Sequence, residues 1–232
     1  MRALVVGASP VPEAEAYYRD LLAAHDLVIA CDAAGEWCAS LGRVPDVAVG
    51  DFDSATPGAS DRLRDRGVEV HVFPARKDAS DLDLAVDAAL ARGASAIAVT
   101  AAFTNRLDHT LAAVGVAMRV PEDVDVAFRD PHFSAAVLRA PVEHALSLDV
   151  APGSIISVIA LTTATGVTLQ GLEYPLACAS LPALSSHGIS NISQATRVSV
   201  SAEQGTLLVM HMEAGSQGSY SGAAGPLPIT RP

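Results

Sequence analysis

Cysteine is scarce in this sequence of 232 residues, and its three copies, Cys31, Cys38 and Cys178, are scattered along the chain. They form no Cys-x-x-Cys pair, so the sequence has neither the spacing of a zinc site nor the cysteine content of a disulfide scaffold. This usage excludes the small disulfide-rich class and predicts a protein of the reducing cytoplasm.

Long hydrophobic runs and positive charge are also lacking. No apolar stretch approaches the roughly 20 residues that span a bilayer, and the N-terminal stretch lacks the length and cleavage site of a secretory signal. Lys and Arg number 15 against 26 Asp and Glu, which gives a net charge of −11. We therefore expect no membrane and no nucleic acid as partner, because nucleic-acid binding normally needs a basic face. An anionic ligand that arrives with a divalent metal is compatible with this charge.

Two glycine-rich phosphate-binding motifs are missing as well. The sequence contains neither Gly-x-x-x-x-Gly-Lys-Ser/Thr nor Gly-x-Gly-x-x-Gly, which disfavours a Walker-type NTPase and an ordinary NAD dehydrogenase. The segment GASP, which begins at Gly7, is only a weak candidate for a phosphate loop.

Residues 1–130 alternate between apolar runs rich in β-branched residues and amphipathic stretches. The runs are ALVVGA, LVIACD, DVAVGD, VEVHVF, SAIAVT and VDVAFRD, and the helical stretches are Pro12–Ala24, Gly35–Leu41, Ala59–Arg66, Asp81–Arg92 and Leu107–Arg119. Continuously apolar strands separated by helices predict an α/β domain with a mostly parallel, Rossmann-like sheet and helices on both faces. The apolar stripe of the last helix is predicted to comprise Leu107, Leu111, Val114 and Met118.

Residues 131–213 follow a different pattern. Runs such as SIISVIALT, GVTLQGL, TRVSVSA and GTLLVMHM alternate or are short, with Gly and Ser between them. This pattern predicts an all-β domain, a small sandwich or barrel. Residues 214–232 are rich in Gly, Ser and Pro and are interpreted as a tail.

Charged side chains follow nearly every strand of the first domain. They are Asp32 after the second strand, Asp51 and Asp53 after the third, Lys77, Asp78, Asp81 and Asp83 after the fourth, and Arg106, Asp108 and His109 after the fifth. Ligands of open parallel sheets bind beyond the carboxyl ends of the strands, so these side chains form one candidate site.

Each of these residues also has a structural explanation. Asp78 or Ser80 could cap the following helix with Asp81 or Asp83 as the partner in a capping box, and this reading is favoured for Asp83. Asp108 could be a carboxylate of a first helical turn, and Asp32 a turn former. The basic residues among them could be ordinary surface or packed side chains.

Asp51 and Asp53 are harder to explain structurally. In an extended segment, residues i and i+2 point to the same side, so these two like charges would repel each other. A hard divalent cation relieves such repulsion, and Mg²⁺ is typically held by one or two carboxylates together with substrate phosphates. A metal–carboxylate cluster with scattered basic groups suits phosphoryl-type transfer from a nucleotide.

Five segments, in order and spacing, resemble the thiamin pyrophosphokinase family. They are GDFDS at 50–54, KDASDLDLAVDAAL at 77–90, RLDHTLA at 106–112, GLEYPL at 171–176 and GISN at 188–191. The resemblance implies an N-terminal nucleotide-binding catalytic domain, a C-terminal thiamin-binding β-sandwich, and a homodimer with the thiamin site near the subunit interface. It also implies a reaction, in which ATP and thiamin give thiamin diphosphate and AMP.

The resemblance further implies roles for individual residues. The Mg²⁺ ligands would be Asp51, Asp53 and Asp81. Nucleotide binding would fall to Asp32, Lys77, Ser80, Arg106 and His109. Asp81, Asp78 and Asp108 are the candidates for catalysis, and Asp108, Ser190 and Asn191 would bind thiamin.

Two loops depart from the family pattern, with Ala33-Ala34 and Thr104-Asn105 where the family usually has Gly-Gly. Glycine permits positive φ, which Ala and Thr tolerate poorly, so both loops are expected to differ from those of the family. Two other functions therefore stay open. One is a pyrophosphokinase of the same fold that acts on another alcohol, such as a pterin, and the other is a non-catalytic ligand-binding or scaffold protein.

Overall fold

The computed structural model describes residues 1–76 and 78–212 and the backbone of 229–230, and the chain divides into two compact units, Met1–Asp130 and Pro131–Pro232. Lys77, a predicted nucleotide ligand, lies outside the described residues, as does the predicted tail apart from 229–230. None of the described helices is long and apolar enough to cross a membrane.

The first unit is built on a six-stranded parallel sheet, which confirms the predicted architecture. Its strands are β1 (Arg2–Val6), β2 (Leu27–Cys31), β3 (Val47–Gly50), β4 (Glu69–Val72), β5 (Ala96–Thr100) and β6 (Asp125–Asp130). Its helices are α1 (Glu15–Ala23), α2 (Ala34–Ser40), α3 (Ala59–Asp65), α4 (Asp81–Ala91) and α5 (Leu107–Arg119). The strand order is β6-β5-β1-β2-β3-β4, and all neighbours are parallel. Every loop that leaves the carboxyl end of a strand therefore reaches one edge of the sheet.

Helix α4 begins with a complete capping box. Ser80 Oγ accepts a hydrogen bond from the backbone N–H of Asp83, and the Asp83 carboxylate accepts one from the backbone N–H of Ser80. The same carboxylate accepts a second hydrogen bond, from the Ser80 hydroxyl. The structural explanation of Asp83 is thus confirmed, because the residue satisfies helix donors that would otherwise be unpaired.

Helix α5 packs through a different face from the predicted one. Leu107, Leu111 and Met118 are exposed, whereas Ala113, Val116 and Ala117 are buried. Both sets recur with helical spacing, so periodicity alone could not decide between them. Small side chains form the buried face, and the larger apolar ones lie at the surface.

The second unit is all-β in its described residues, as predicted, with one short 3-10 turn and no α-helix, and its strand pairs are antiparallel. The strands are β7 (Phe133–Ala140), β8 (Ala145–Asp149), β9 (Ile155–Ala160), β10 (Ala164–Gln170), β11 (Leu176–Leu181), β12 (Asn191–Ile192), β13 (Arg197–Ser201), β14 (Gly205–Met212) and β15 (Ile229–Thr230). One sheet has the order β12-β9-β14-β7 and the other β11-β10-β13-β8-β15. Buried residues of both sheets form one core, which is the arrangement of a sandwich.

Candidate functional site

The loop that follows β3, residues 51–57, is called the acidic loop below. It is not the extended segment that the sequence suggested, because Phe52 has a left-handed φ of 59°. The backbone N–H of Asp53 donates to Asp51 Oδ1 at 3.2 Å and closes a tight turn. Asp51 and Asp53 are therefore brought together by a turn, and the predicted strand-like geometry is wrong although the predicted proximity is right.

Asp32 supports this turn from the loop after β2. Its Oδ1 accepts a hydrogen bond from the backbone N–H of Phe52 at 2.8 Å, and its Oδ2 accepts one from the Ser54 hydroxyl at 3.3 Å. Only 8% of its surface is exposed. A Cβ on Gly50 would lie 2.1 Å from Asp32 Oδ1, so only glycine leaves room for this carboxylate.

The carboxylates of Asp32, Asp51 and Asp53 form a cluster whose ligand oxygens lie within 4.8 Å of one another. Asp51 and Asp53 are two of the three predicted metal ligands. Asp32, predicted to bind nucleotide, is the third member here, and Asp81 lies close enough to act on it electrostatically. The place of Asp32 in this cluster follows from the pairing of β2 with β3. Cys31 pairs with Val49, so the loops that follow these two strands start side by side.

Burial and charge raise the pKa of Asp32. Desolvation is the main cause, and the carboxylates of Asp81 and Asp51 add to it, whereas hydrogen bonds from Phe52 and Ser54 act in the opposite direction. The ionised form of Asp32 is therefore disfavoured in this position, and a nearby cation would favour it.

We expect Asp32→Asn to stabilise the chain in metal-free buffer at pH 7. The amide keeps an acceptor for Phe52 and tolerates the left-handed φ of 48° at this position. It also removes one repelling charge, and the expected gain in unfolding free energy is roughly 1 kcal/mol. The wild-type penalty exists only while Asp32 is ionised. The difference between the two proteins in denaturant titrations should thus vanish as the pH falls below the ordinary carboxyl range, and a difference independent of pH would contradict the electrostatic cause.

Arg106 and Asp108, predicted for different ligands, form an exposed bidentate ion pair. Arg106 Nη2 lies 2.7 Å from Asp108 Oδ2, and Nε lies 3.3 Å from Oδ1. This pair lowers the pKa of the Asp108 carboxyl, so Asp108 is a weak proton acceptor in this arrangement. His109 is exposed on the first turn of α5.

The other predicted residues of this unit lie around the start of α4. Asp78 is exposed, whereas Asp81 is half-buried at the first position of the helix. The Ser80 hydroxyl is engaged in the capping box. Of the three candidates for catalysis, Asp81 has the best support for a position next to the carboxylate cluster. Its carboxylate acts electrostatically on Asp32 and raises the pKa of that residue.

The two loops that depart from the Gly-Gly pattern need no positive φ at those residues. Ala33 has an α-helical φ of −58°, and Thr104 and Asn105 both lie outside the positive-φ region. Ala33 and Thr104 are therefore accommodated without backbone strain. Thr104 instead ties its loop together, because its Oγ1 accepts a hydrogen bond from the Arg106 N–H at 2.9 Å.

The segment GASP also has a structural role. The backbone N–H of Ser9 donates to the carbonyl of Ala101 at 2.8 Å. A Cβ on Gly7 would lie 2.5 Å from the same carbonyl oxygen. The glycine thus permits two loops to approach each other, and this explains it without a phosphate.

In the second unit, Ser190 and Asn191 differ sharply in environment. Ser190 is exposed and has a left-handed φ of 55°. Asn191 is buried, with 3% of its surface exposed. Its Oδ1 accepts from the N–H groups of Tyr174 and Ile192, each at 3.0 Å, and its Nδ2 donates to the Tyr174 carbonyl at 2.8 Å. Asn191 thus fixes the GLEYPL segment from within.

We expect Asn191→Ala to lower the free energy of unfolding by about 2 kcal/mol, because the N–H and carbonyl of Tyr174 and the N–H of Ile192 would all lose a partner that is itself buried. Denaturant titration measures this loss. Ser190→Ala is the matched control, since it removes an exposed hydroxyl and should change the unfolding free energy by less than about 0.5 kcal/mol. Equal stability of the two variants would contradict the role assigned to Asn191.

Comparisons with known proteins agree on one family. A family model described as thiamin pyrophosphokinase, catalytic domain, matches residues 18–128, and one described as thiamin pyrophosphokinase, vitamin B1 binding domain, matches residues 143–207. A curated relative from Bacillus subtilis (strain 168), thiamine pyrophosphokinase, is 28% identical over 187 residues, which are 80% of this chain and 87% of the relative.

Solved structures show the same fold at lower identity. A thiamine pyrophosphokinase from Bacillus subtilis has a TM-score of 0.77 at 24% identity, covering 91% of this chain and 99% of its own. A thiamin pyrophosphokinase family protein from Enterococcus faecalis has a TM-score of 0.76 at 22% identity, covering 92% and 99%. The thiamin pyrophosphokinase from Candida albicans has a TM-score of 0.74 at 15% identity, covering 91% and 88%.

Proposed function

Because this chain belongs to the thiamin pyrophosphokinase family, we propose that it transfers a diphosphoryl group from ATP to the hydroxyl of thiamin in an Mg²⁺-dependent reaction. The products are thiamin diphosphate and AMP. The observation that carries the proposal is the convergence of Asp32, Asp51 and Asp53 within the region that the catalytic-domain model matches.

The residues present fit Mg²⁺. Three carboxylates offer hard oxygen ligands, and their mutual repulsion at Asp32 is what a bound divalent cation offsets. Asp51 and Asp53 would hold the ion, with Asp32 or Asp81 beside them. The ion supplies positive charge that lets a triphosphate bind next to carboxylates.

In the proposed reaction, the thiamin hydroxyl oxygen bonds to the β-phosphorus of ATP. The bond between that phosphorus and the oxygen bridging to the α-phosphorus breaks, and the oxygen leaves with AMP. The hydroxyl proton needs an acceptor, for which Asp81 is favoured over Asp78 and Asp108. Asp78 is exposed, and Asp108 is held by Arg106 with a lowered pKa. Catalysis then depends mainly on positioning and charge stabilisation.

The substrate contacts stay proposals. Lys77, Ser80, Arg106 and His109 would hold the phosphates, and Arg106 would exchange its carboxylate partner for a phosphate in doing so. Asp108 in the first unit, and Ser190 and Asn191 in the second, are proposed as thiamin-binding residues on the family resemblance, and Asn191 would act by holding the backbone of Tyr174. The strong negative charge of the chain favours the approach of the cationic thiazolium.

A homodimer is proposed on the family resemblance. A cytoplasmic location is proposed on the three free cysteines.

The test is to incubate the purified full chain with ATP, Mg²⁺ and thiamin and to quantify AMP and thiamin diphosphate. Both products should form in equal amounts. If AMP formed without thiamin diphosphate, the acceptor of the diphosphoryl group would be an alcohol other than thiamin, and pterin alcohols would be tested first. Absence of AMP with every acceptor tested would favour a non-catalytic ligand-binding protein.

A further inference from the structure

The far end of the acidic loop is held by an ion pair outside the carboxylate cluster. Glu36 lies in the first turn of α2, and Arg62 lies on α3. Arg62 Nε donates to Glu36 Oε1 at 2.8 Å. We call this pair the Glu36–Arg62 clamp, because each member also forms hydrogen bonds with the acidic loop.

The clamp contacts the loop at two consecutive residues. Glu36 Oε2 accepts a hydrogen bond from the Thr56 hydroxyl at 2.6 Å. Arg62 Nη1 donates to the Pro57 carbonyl at 2.7 Å, and Nη2 donates to Thr56 Oγ1. All three nitrogens of the guanidinium are therefore used, in the fork geometry that lysine lacks.

The two ends of the acidic loop are thus fixed from one short stretch of chain. Asp32 holds Phe52 and Ser54, and Glu36, four residues later, holds Thr56. Between these anchors lies Asp53, which is exposed. A loop fixed at both ends presents its carboxylates in one arrangement, whereas a loop fixed at one end would sample several.

We infer that Glu36 and Arg62 are positioning residues that hold the acidic loop in its metal-binding conformation. The inference rests on the metal role of Asp51 and Asp53 in the proposed function. It assigns no contact with substrate to either residue. Both side chains are partly exposed, at 30% and 48%, so loss of the pair should affect the loop far more than the fold.

The first test measures direct binding of Mn²⁺ to the metal-free full chain. The concentration of free Mn²⁺ is monitored by its electron paramagnetic resonance signal. We expect Arg62→Ala to raise the Kd for Mn²⁺ about fivefold. This is the effect expected if the fraction of molecules whose acidic loop is in the metal-binding conformation falls to about a fifth. Arg64→Ala is the matched control, because Arg64 lies on the same helix and pairs with Asp61 at 2.7 Å. It should bind Mn²⁺ like the wild type.

The second test separates positioning from a general loss of structure. Arg62→Ala should raise KM for Mg–ATP about fivefold and leave kcat within twofold, and Arg62→Lys should fall between it and the wild type. Glu36→Gln, a milder change, should weaken Mn²⁺ binding in the same direction. The double variant should be no worse than Arg62→Ala alone, because both act through one clamp.

The outcomes are distinct. If the wild type binds Mn²⁺ and makes no AMP, the proposed function fails. The positioning role of the Glu36–Arg62 clamp is then decided by the Mn²⁺ affinities of the variants alone. If Arg62→Ala and Glu36→Gln both bind Mn²⁺ as tightly as Arg64→Ala, the clamp has no positioning role. The same conclusion follows if the wild type binds no Mn²⁺.

Discussion

Asp51→Asn should reduce AMP formation on the order of 10²–10³-fold while the protein stays folded. The substitution keeps the size of the side chain, and its Oδ1 still accepts the hydrogen bond that closes the turn with Asp53. What is lost is one of the negative charges that would hold Mg²⁺, and losses of a single electrostatic contact in an active site have effects of this size. The unfolding free energy should change by less than about 0.5 kcal/mol, since the repulsion within the cluster also decreases.

Asp61→Asn is the control for Asp51→Asn. Asp61 is an exposed carboxylate on α3 that pairs with Arg64, so its loss changes the net charge equally without touching the cluster. Initial rates of AMP release, measured at several Mg²⁺ concentrations, compare the two variants. If Asp51→Asn retained more than about a tenth of the wild-type rate at saturating Mg²⁺, Asp51 could not be a principal metal ligand.

Gly50→Ala is expected to damage stability and activity together. The new Cβ would lie 2.1 Å from Asp32 Oδ1 and 3.2 Å from its backbone nitrogen, so Asp32 or the strand end must shift. Overpacking of this kind costs about 1–3 kcal/mol of unfolding free energy. A displacement of about 1 Å within a catalytic arrangement lowers the rate about 10²-fold. Thermal unfolding and the AMP assay measure the two effects.

Two further variants show whether the clash with Asp32 is the cause. Gly115→Ala places the same methyl group in α5, where it meets no described atom within 4 Å apart from the adjacent residues and backbone of its own helix. It should raise stability by up to about 1 kcal/mol, because alanine is the better helix former. In an Asp32→Ala background, Gly50→Ala should cost much less than in the wild type, and an unchanged cost would place the strain elsewhere.

Much of the site could be predicted from the sequence because its signals are local. The pair Asp51 and Asp53 is separated by one residue, so the two carboxylates are close in a turn as well as in a strand. The capping box of α4 is local too, since Ser80 and Asp83 are three residues apart. Some element limits in the first unit are local as well, since β3 ends at Gly50 and α4 is followed by Arg92 and Gly93.

The rest depends on contacts that periodicity does not encode. The inclusion of Asp32 in the carboxylate cluster requires the register of β2 against β3 and the missing Cβ of Gly50. The buried face of α5 was wrongly predicted because two sets of apolar residues share its spacing. Asn191 could be a ligand-binding or a structural residue from its sequence alone, and only its three hydrogen bonds to backbone groups favour the structural role.

The anchoring of both ends of the acidic loop by residues 32–36 has a consequence for protein engineering. The conformation of the loop is encoded by a contiguous module that runs from Asp32 to Arg62, rather than by the loop alone. Grafting residues 51–57 onto another parallel sheet should thus give an acidic but poorly shaped turn. Transplanting the whole module, with α2 and α3, would carry along the groups that fold the loop.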